Sequence, residues 1–147
     1  MNYFDTSALI KAFLVEVGTE KAKQLLLRGG LAATATITFA EMYSGFSRKK
    51  REGGLSVSQY HAVCGEFESY WPSCLQIELT SEILTLSRDL IKRHPLRAFD
   101  AIHLASALRV NKEMMEPVTL IAADERLLQA TKAEDLTSLN IETAEDV

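Results

Sequence analysis

The sequence predicts an α/β fold of three layers, α/β/α, around a mainly parallel central sheet of about five strands. Two observations carry this. Short apolar runs that read as strands alternate along the whole chain with longer amphipathic segments that read as helices. Strands joined through helices run parallel, by right-handed crossovers, with both sheet faces covered. No fixed-period repeat, low-complexity tract or Pro/Ser-rich linker divides the 147 residues, so residues 1–147 are expected to form one domain.

Residues 1–4 read as a strand, and residues 8–15 have helical spacing after two capping residues, Thr6 and Ser7. Thr19 is placed to cap a helix over 19–28 that stops at Gly29-Gly30. A buried strand over 31–36 leads to a helix opened by Thr38, which carries Glu41 and ends in Arg48-Lys49-Lys50-Arg51. Ser56 starts a further helix to about residue 70. Residues 74–79 alternate apolar and polar as a strand does, and Thr80 or Ser81 begins a helix ended by Pro95. A helix over 97–111 has Ile102, Leu104, Ala105 and Leu108 as its apolar face. A strand over 118–122, a helix from Asp124 to about residue 131 and a short strand over 139–143 complete the order.

At 16.3 kDa the chain is long enough to bury roughly two-thirds of its unfolded surface, so its core requires no disulfide or structural zinc. Cys64 and Cys74 form no C-x-x-C or Cys/His pattern, and two free thiols suit a reducing compartment. The first apolar stretch, 8–17, is interrupted by Lys11 and Glu16 and does not resemble a signal peptide, and no window approaches the length of a membrane span. A soluble, cytoplasmic protein with no membrane partner is expected. The net charge of −4 and pI near 5.4 argue against holding nucleic acid through bulk charge.

In open α/β sheets the working site is at the carboxyl ends of the strands. Four carboxylates stand at or just beyond such edges: Asp5, Glu41, Asp100 and Asp124. Each also has a structural reading. Asp5 and Asp124 suit helix starts, Thr38-x-x-Glu41 matches a capping box, and Asp100 suits the positive end of its helix. Caps account for one acid per helix but not for four on one sheet edge. Converging like charges raise one another's pKa unless a cation sits among them. Carboxylates without His or Cys are the ligand set of Mg²⁺ or Mn²⁺.

The segments Tyr3-Phe4-Asp5-Thr6-Ser7-Ala8-Leu9-Ile10, Thr38-x-x-Glu41, Arg97-Ala98-Phe99-Asp100-Ala101-Ile102-His103-Leu104-Ala105 and Ala122-Ala123-Asp124-Glu125-Arg126-Leu127 resemble, in order, the motifs of PIN-domain nucleases. At this length the chain is most similar to VapC-type toxins of type II toxin–antitoxin pairs. The resemblance implies a metal-dependent endoribonuclease in which Asp5, Glu41, Asp100 and Asp124 are catalytic and hold one or two Mg²⁺ or Mn²⁺ ions. It also implies an RNA substrate cut to leave a 5′-phosphate, a homodimer and a small antitoxin partner. Thr6 and Ser7 are candidates to hydrogen-bond a ligand carboxylate or a coordinated water, or to cap the helix instead.

Residues 1–112 carry 14 Lys and Arg against 11 acids, a balance of +3, whereas 113–147 carry 2 against 9, a balance of −7. Arg48 and Lys49 within the run to Arg51, together with Lys92, Arg93 and Arg97, are the candidates to attract phosphates, with Arg97 foremost. His103, three residues after Asp100, has apolar neighbours and is expected to be packed and not a general base. His61 and His94 lie in no motif, and Tyr60, Phe67, Tyr70 and Trp71 are read as core or subunit packing.

Three other functions compete. A haloacid-dehalogenase-like Mg²⁺ phosphatase requires a second Asp two residues after the first, where this chain has Ser7. A metal-free ribonuclease requires a histidine pair. A non-catalytic binding or regulatory module on the same scaffold has no need of four acids.

Overall fold

The computed structural model describes residues 1–143. The last four residues of the expected domain, with Glu145 and Asp146 of the acidic tail, lie outside the described residues. Five strands, β1 (Asn2–Phe4), β2 (Ala32–Ala35), β3 (Leu75–Ile77), β4 (Thr119–Ala122) and β5 (Thr137–Asn140), form one sheet in the order β3-β2-β1-β4-β5. Every pairing is parallel. The three-layer α/β/α expectation is therefore met.

Side chains alternate across the sheet with the strand period of two, which gives each face its own core. Tyr3, Ala33 and Leu120 face α5 (Ser81–Arg93), α6 (Ala98–Glu113) and α7 (Glu125–Ala133). Phe4, Ala32 and Ile121 face α1 (Thr6–Leu9), α2 (Thr19–Arg28), α3 (Thr38–Arg51) and α4 (Val57–Tyr70). Tyr3, Phe4, Phe46, Phe67 and Leu104 are fully buried, and each such large apolar side chain contributes ~1.5–3 kcal/mol relative to exposure.

Several local expectations are corrected. Asp5, not Thr6 or Ser7, caps the first helix, so α1 begins two residues early, and it tightens into a 3-10 helix over Ile10–Ala12 in place of continuing to residue 15. The tightened turn delivers Phe13 to Phe46, Phe67 and Tyr70, with ring centroids 5.6–6.4 Å apart. Gly18, not Thr19, is the N-cap of α2: its φ is +94°, and a Cβ there would stand 2.8 Å from the Ile141 carbonyl oxygen. Thr19 instead accepts from the Glu16 N–H and donates to the Leu14 carbonyl, bracing the preceding loop. The last strand lies at Thr137–Asn140, earlier than the expected 139–143, because its register pairs Ala122 with Asn140.

Elsewhere the capping chemistry is as read. Ser56 and Gln59 form a reciprocal capping box at α4, Thr80 caps α5, and Asp124 caps α7 through the Leu127 N–H. Among the described residues no helix is long and apolar enough to cross a membrane.

Candidate active site

The strand order reverses at β1, which is followed in sequence by β2 on one side yet pairs with the late β4 on the other. That switch point opens a crevice at the carboxyl ends of β1 and β4. Asp5 follows β1 and Asp124 follows β4, so two of the four acids flank it by topology alone. The two strand exits are joined directly: the Asp5 N–H donates to the Ile121 carbonyl at 3.1 Å, and the Ala123 N–H donates to Ser7 Oγ at 2.9 Å.

Asp5 is 3% exposed. Ser7 Oγ lies 2.7 Å from its Oδ1 and 2.9 Å from its Oδ2, and the Ala8 N–H donates to Oδ1 at 3.0 Å. Burial pushes its carboxyl up to about 6, against the pull of His103 and of these hydrogen bonds, with the Asp100 charge pushing further up. Asp5 thus caps a helix and also occupies the crevice.

Glu41 does not form the capping box that Thr38-x-x-Glu41 suggests. Ile37 is the N-cap of α3, and Thr38 Oγ1 is engaged by Thr34 Oγ1 at 2.8 Å. This leaves the Glu41 carboxylate to turn toward β1. Its Oε1 accepts from Thr6 Oγ1 at 2.7 Å and lies 2.8 Å from His103 Nε2. Burial works to raise the Glu41 carboxyl, but the hydrogen bond from His103, the charge that ring carries when protonated and the bond from Thr6 outweigh it and hold it below its ordinary value.

Asp100, in the first turn of α6, is raised by burial and then by the neighbouring Asp124 charge, with Arg97 and His103 opposing. Arg97, at the N-cap of α6, spans the two carboxylates: Nε is 3.5 Å from Asp100 Oδ2 and Nη2 is 3.6 Å from Asp124 Oδ2. Electrostatic coupling therefore runs from Asp5 to Asp100 and on to Asp124, while Glu41 joins them through His103.

Among the described residues, no three acidic, histidine or cysteine side chains are drawn together tightly enough to enclose a metal as they stand. Glu41 is tied through Oε1 to Thr6 and His103, and the Arg97 guanidinium offsets part of the charge of the pair it spans. The donor set nonetheless fits a hard divalent cation. It consists of carboxylate and hydroxyl oxygens, and two of the carboxyls, Asp5 and Asp100, are each raised in part by a neighbouring carboxylate's charge.

The other sequence candidates separate. Arg48 and Lys49 sit at the far end of α3, two turns or about 10 Å along the axis from Glu41, and Lys50 lies over the Tyr60 ring at 4.7 Å. Arg93 is engaged by Glu134 at 2.7 Å. Phe67 and Trp71 pack with Phe39 inside the α3–α4 side of the core.

His103 is packed, at 2% exposure, as its apolar neighbours suggest; it is also bonded on both ring nitrogens, to Glu41 and to Tyr3 Oη at 2.9 Å. Sequence reading missed Tyr3. The signal was available: Tyr3 precedes Asp5 by two strand positions and His103 follows Asp100 by three helix positions, so both share a face with an acid.

Ribonuclease VapC45 of Mycobacterium tuberculosis (strain CDC 1551 / Oshkosh) is 29% identical over 126 residues, covering 86% of this chain and 85% of the relative, and Ribonuclease VapC49 of strain ATCC 25618 / H37Rv matches with the same figures. A solved toxin-antitoxin complex from Klebsiella pneumoniae has a TM-score of 0.68 at 19% identity, covering 96% of this chain and 98% of that one. The FitAcB structure from Neisseria gonorrhoeae has a TM-score of 0.69 at 15% identity, covering 98% of this chain and all of that one. At these identities the solved structures speak to the fold. The family model for the PIN domain matches residues 3–133, which take in α6 and all four edge carboxylates, and the chain belongs to the PIN domain family.

Proposed function

We propose that the chain is a divalent-metal-dependent endoribonuclease and the toxin of a toxin–antitoxin pair, with Asp5, Glu41, Asp100 and Asp124 as its catalytic and metal-holding residues. The observation that carries this reading is the coupled row of buried and half-buried carboxylates at the β1/β4 switch point. The ribonuclease names of the mycobacterial relatives support the substrate class, and the toxin-antitoxin complexes among the structural neighbours support a small antitoxin partner. A homodimer, a cytoplasmic location and one PIN-like domain over 1–147 belong to the same proposal; Cys64 and Cys74 are both free and buried, as suits a reducing compartment.

Mg²⁺ or Mn²⁺ at this position supplies a more acidic water near neutral pH and offsets the charge that develops on the phosphodiester. The chain's own residues do the rest. Ser7 and the Ala8 N–H hold Asp5 in one orientation, and Thr6 with His103 holds Glu41. Arg97, whose side chain is 78% exposed, releases its two carboxylates to contact the scissile or an adjoining phosphate. Arg48 and Lys49 attract the RNA backbone two helical turns away.

Other chemistries fit less well. A dehalogenase-like phosphatase requires a second Asp two residues after Asp5, and Ser7 stands there with its hydroxyl on the Asp5 carboxylate. A histidine pair is lacking among the described residues: His103 is bonded to Tyr3 and Glu41, His94 is bonded to Glu134, and His61 is on exposed α4 surface.

The test is cleavage of single-stranded RNA by the purified chain with Mg²⁺ or Mn²⁺. Products with 5′-phosphates, abolished by EDTA and by Asp5→Ala, are expected. Cleavage that survives either treatment overturns the reading.

A further inference from the structure

We propose that Tyr3 and His103 are positioning residues that aim Glu41 into the site, by a relay whose direction is set by the Glu41 carboxylate and whose far end is held by the hydroxyl of Tyr3. The relay crosses three elements: Tyr3 on β1, His103 on α6 and Glu41 on α3. Tyr3 is fully buried and His103 is 2% exposed, so the bond between them is closed to bulk water, while the Glu41 end of the relay opens toward the crevice. The heavy-atom distances are 2.9 Å for Tyr3 Oη to His103 Nδ1 and 2.8 Å for His103 Nε2 to Glu41 Oε1.

The partners dictate the tautomer. A carboxylate only accepts, so Nε2 carries the proton that bonds Glu41; in the neutral ring Nδ1 then only accepts, so the Tyr3 hydroxyl donates to it. Thr6 donates to the same Glu41 oxygen at 2.7 Å. Among the described residues, these bonds all fall on Oε1, and Oε2 takes none. The arrangement spends one oxygen on orientation and leaves the other for a ligand in the crevice. Buried hydrogen-bond partners of metal-binding side chains set ligand orientation and typically change metal affinity by about 10–100-fold when lost. The inference rests on the proposed four-carboxylate reading, in which Glu41 is a ligand.

Two measurements on the full chain test it. The first is ¹⁵N imidazole spectroscopy of the metal-free protein at pH 7.5. The Nε2–H tautomer of His103 is expected, kept in Tyr3→Phe and converting to a mixture in Glu41→Ala; an Nδ1–H tautomer, or a tautomer indifferent to Glu41→Ala, overturns the proposal. The second is Mn²⁺ calorimetry of wild type, Tyr3→Phe, Glu41→Gln and the double variant. Tyr3→Phe is expected to weaken Mn²⁺ binding about tenfold in the wild-type background and not at all in Glu41→Gln. Equal losses in both backgrounds overturn action through Glu41. If wild type shows the tautomer and its Glu41 dependence but takes up no Mn²⁺, the positioning of Glu41 is supported and the metal reading is the one that fails.

Discussion

Arg97 Nη2 stands 3.6 Å from Asp124 Oδ2, linking the N-termini of two helices whose cap residues are 27 positions apart in sequence. With Nε 3.5 Å from Asp100 Oδ2, the guanidinium is a counter-charge to the carboxylate pair.

That contact makes Arg97 a competitor for any cation. Arg97→Ala is expected to tighten Mn²⁺ binding in the absence of RNA by roughly two- to fivefold, the scale of an exposed ion pair. The same substitution is expected to weaken RNA binding and reduce its salt dependence. Calorimetry and filter binding over a salt series check the two halves. Unchanged Mn²⁺ affinity would show that the guanidinium does not guard the pair.

Asp5 imposes a pH dependence of its own. Its carboxyl stands at about 6 in the fold against an ordinary 3.8, so between those values the native chain holds a proton that the unfolded chain has released. Stability from this group therefore falls as pH rises through that window and is level above it. Asp5→Asn removes the burdened charge. Urea unfolding without metal is expected to show the variant more stable than wild type by about 1–2 kcal/mol at pH 7.5, with the advantage shrinking toward pH 4. An advantage that grows on acidification contradicts the assignment.

Ser7 ties the two strand exits together, donating to Asp5 and accepting from the Ala123 N–H. Ser7→Ala leaves a part-buried backbone donor without its partner and is expected to destabilise the metal-free fold by about 1–3 kcal/mol in chemical denaturation. A loss well below this range would mean that the Ala123 N–H finds another acceptor at little cost.

The legible parts of the molecule were those governed by local rules. Apolar runs marked β2 and β4, Ser56 and Thr80 marked helix starts, and Asp5 and Asp124 followed strands, where an α/β sheet keeps its site. What escaped was decided by distant neighbours. The strand Thr137–Asn140 is mostly polar and exists because β4 offers it a parallel edge. Thr38-x-x-Glu41 satisfies a capping rule, yet Thr34, Thr6 and His103, on other elements, claim its side chains. The sequence marks Arg97 for phosphate, whereas its bridge to Asp124 depends on α6 and α7 meeting in space. The Tyr3–His103 bond spans 100 residues and follows from packing alone.

The central claim, that the edge carboxylates hold a divalent cation, is tested most directly by thermal melting of the full chain across a Mg²⁺ or Mn²⁺ titration. A ligand that binds only the native state stabilises it by RT ln(1 + [L]/Kd), so wild-type Tm is expected to climb with the logarithm of cation concentration above Kd while Asp5→Asn stays flat. An unmoved wild-type Tm, or the same rise in Asp5→Asn, contradicts it.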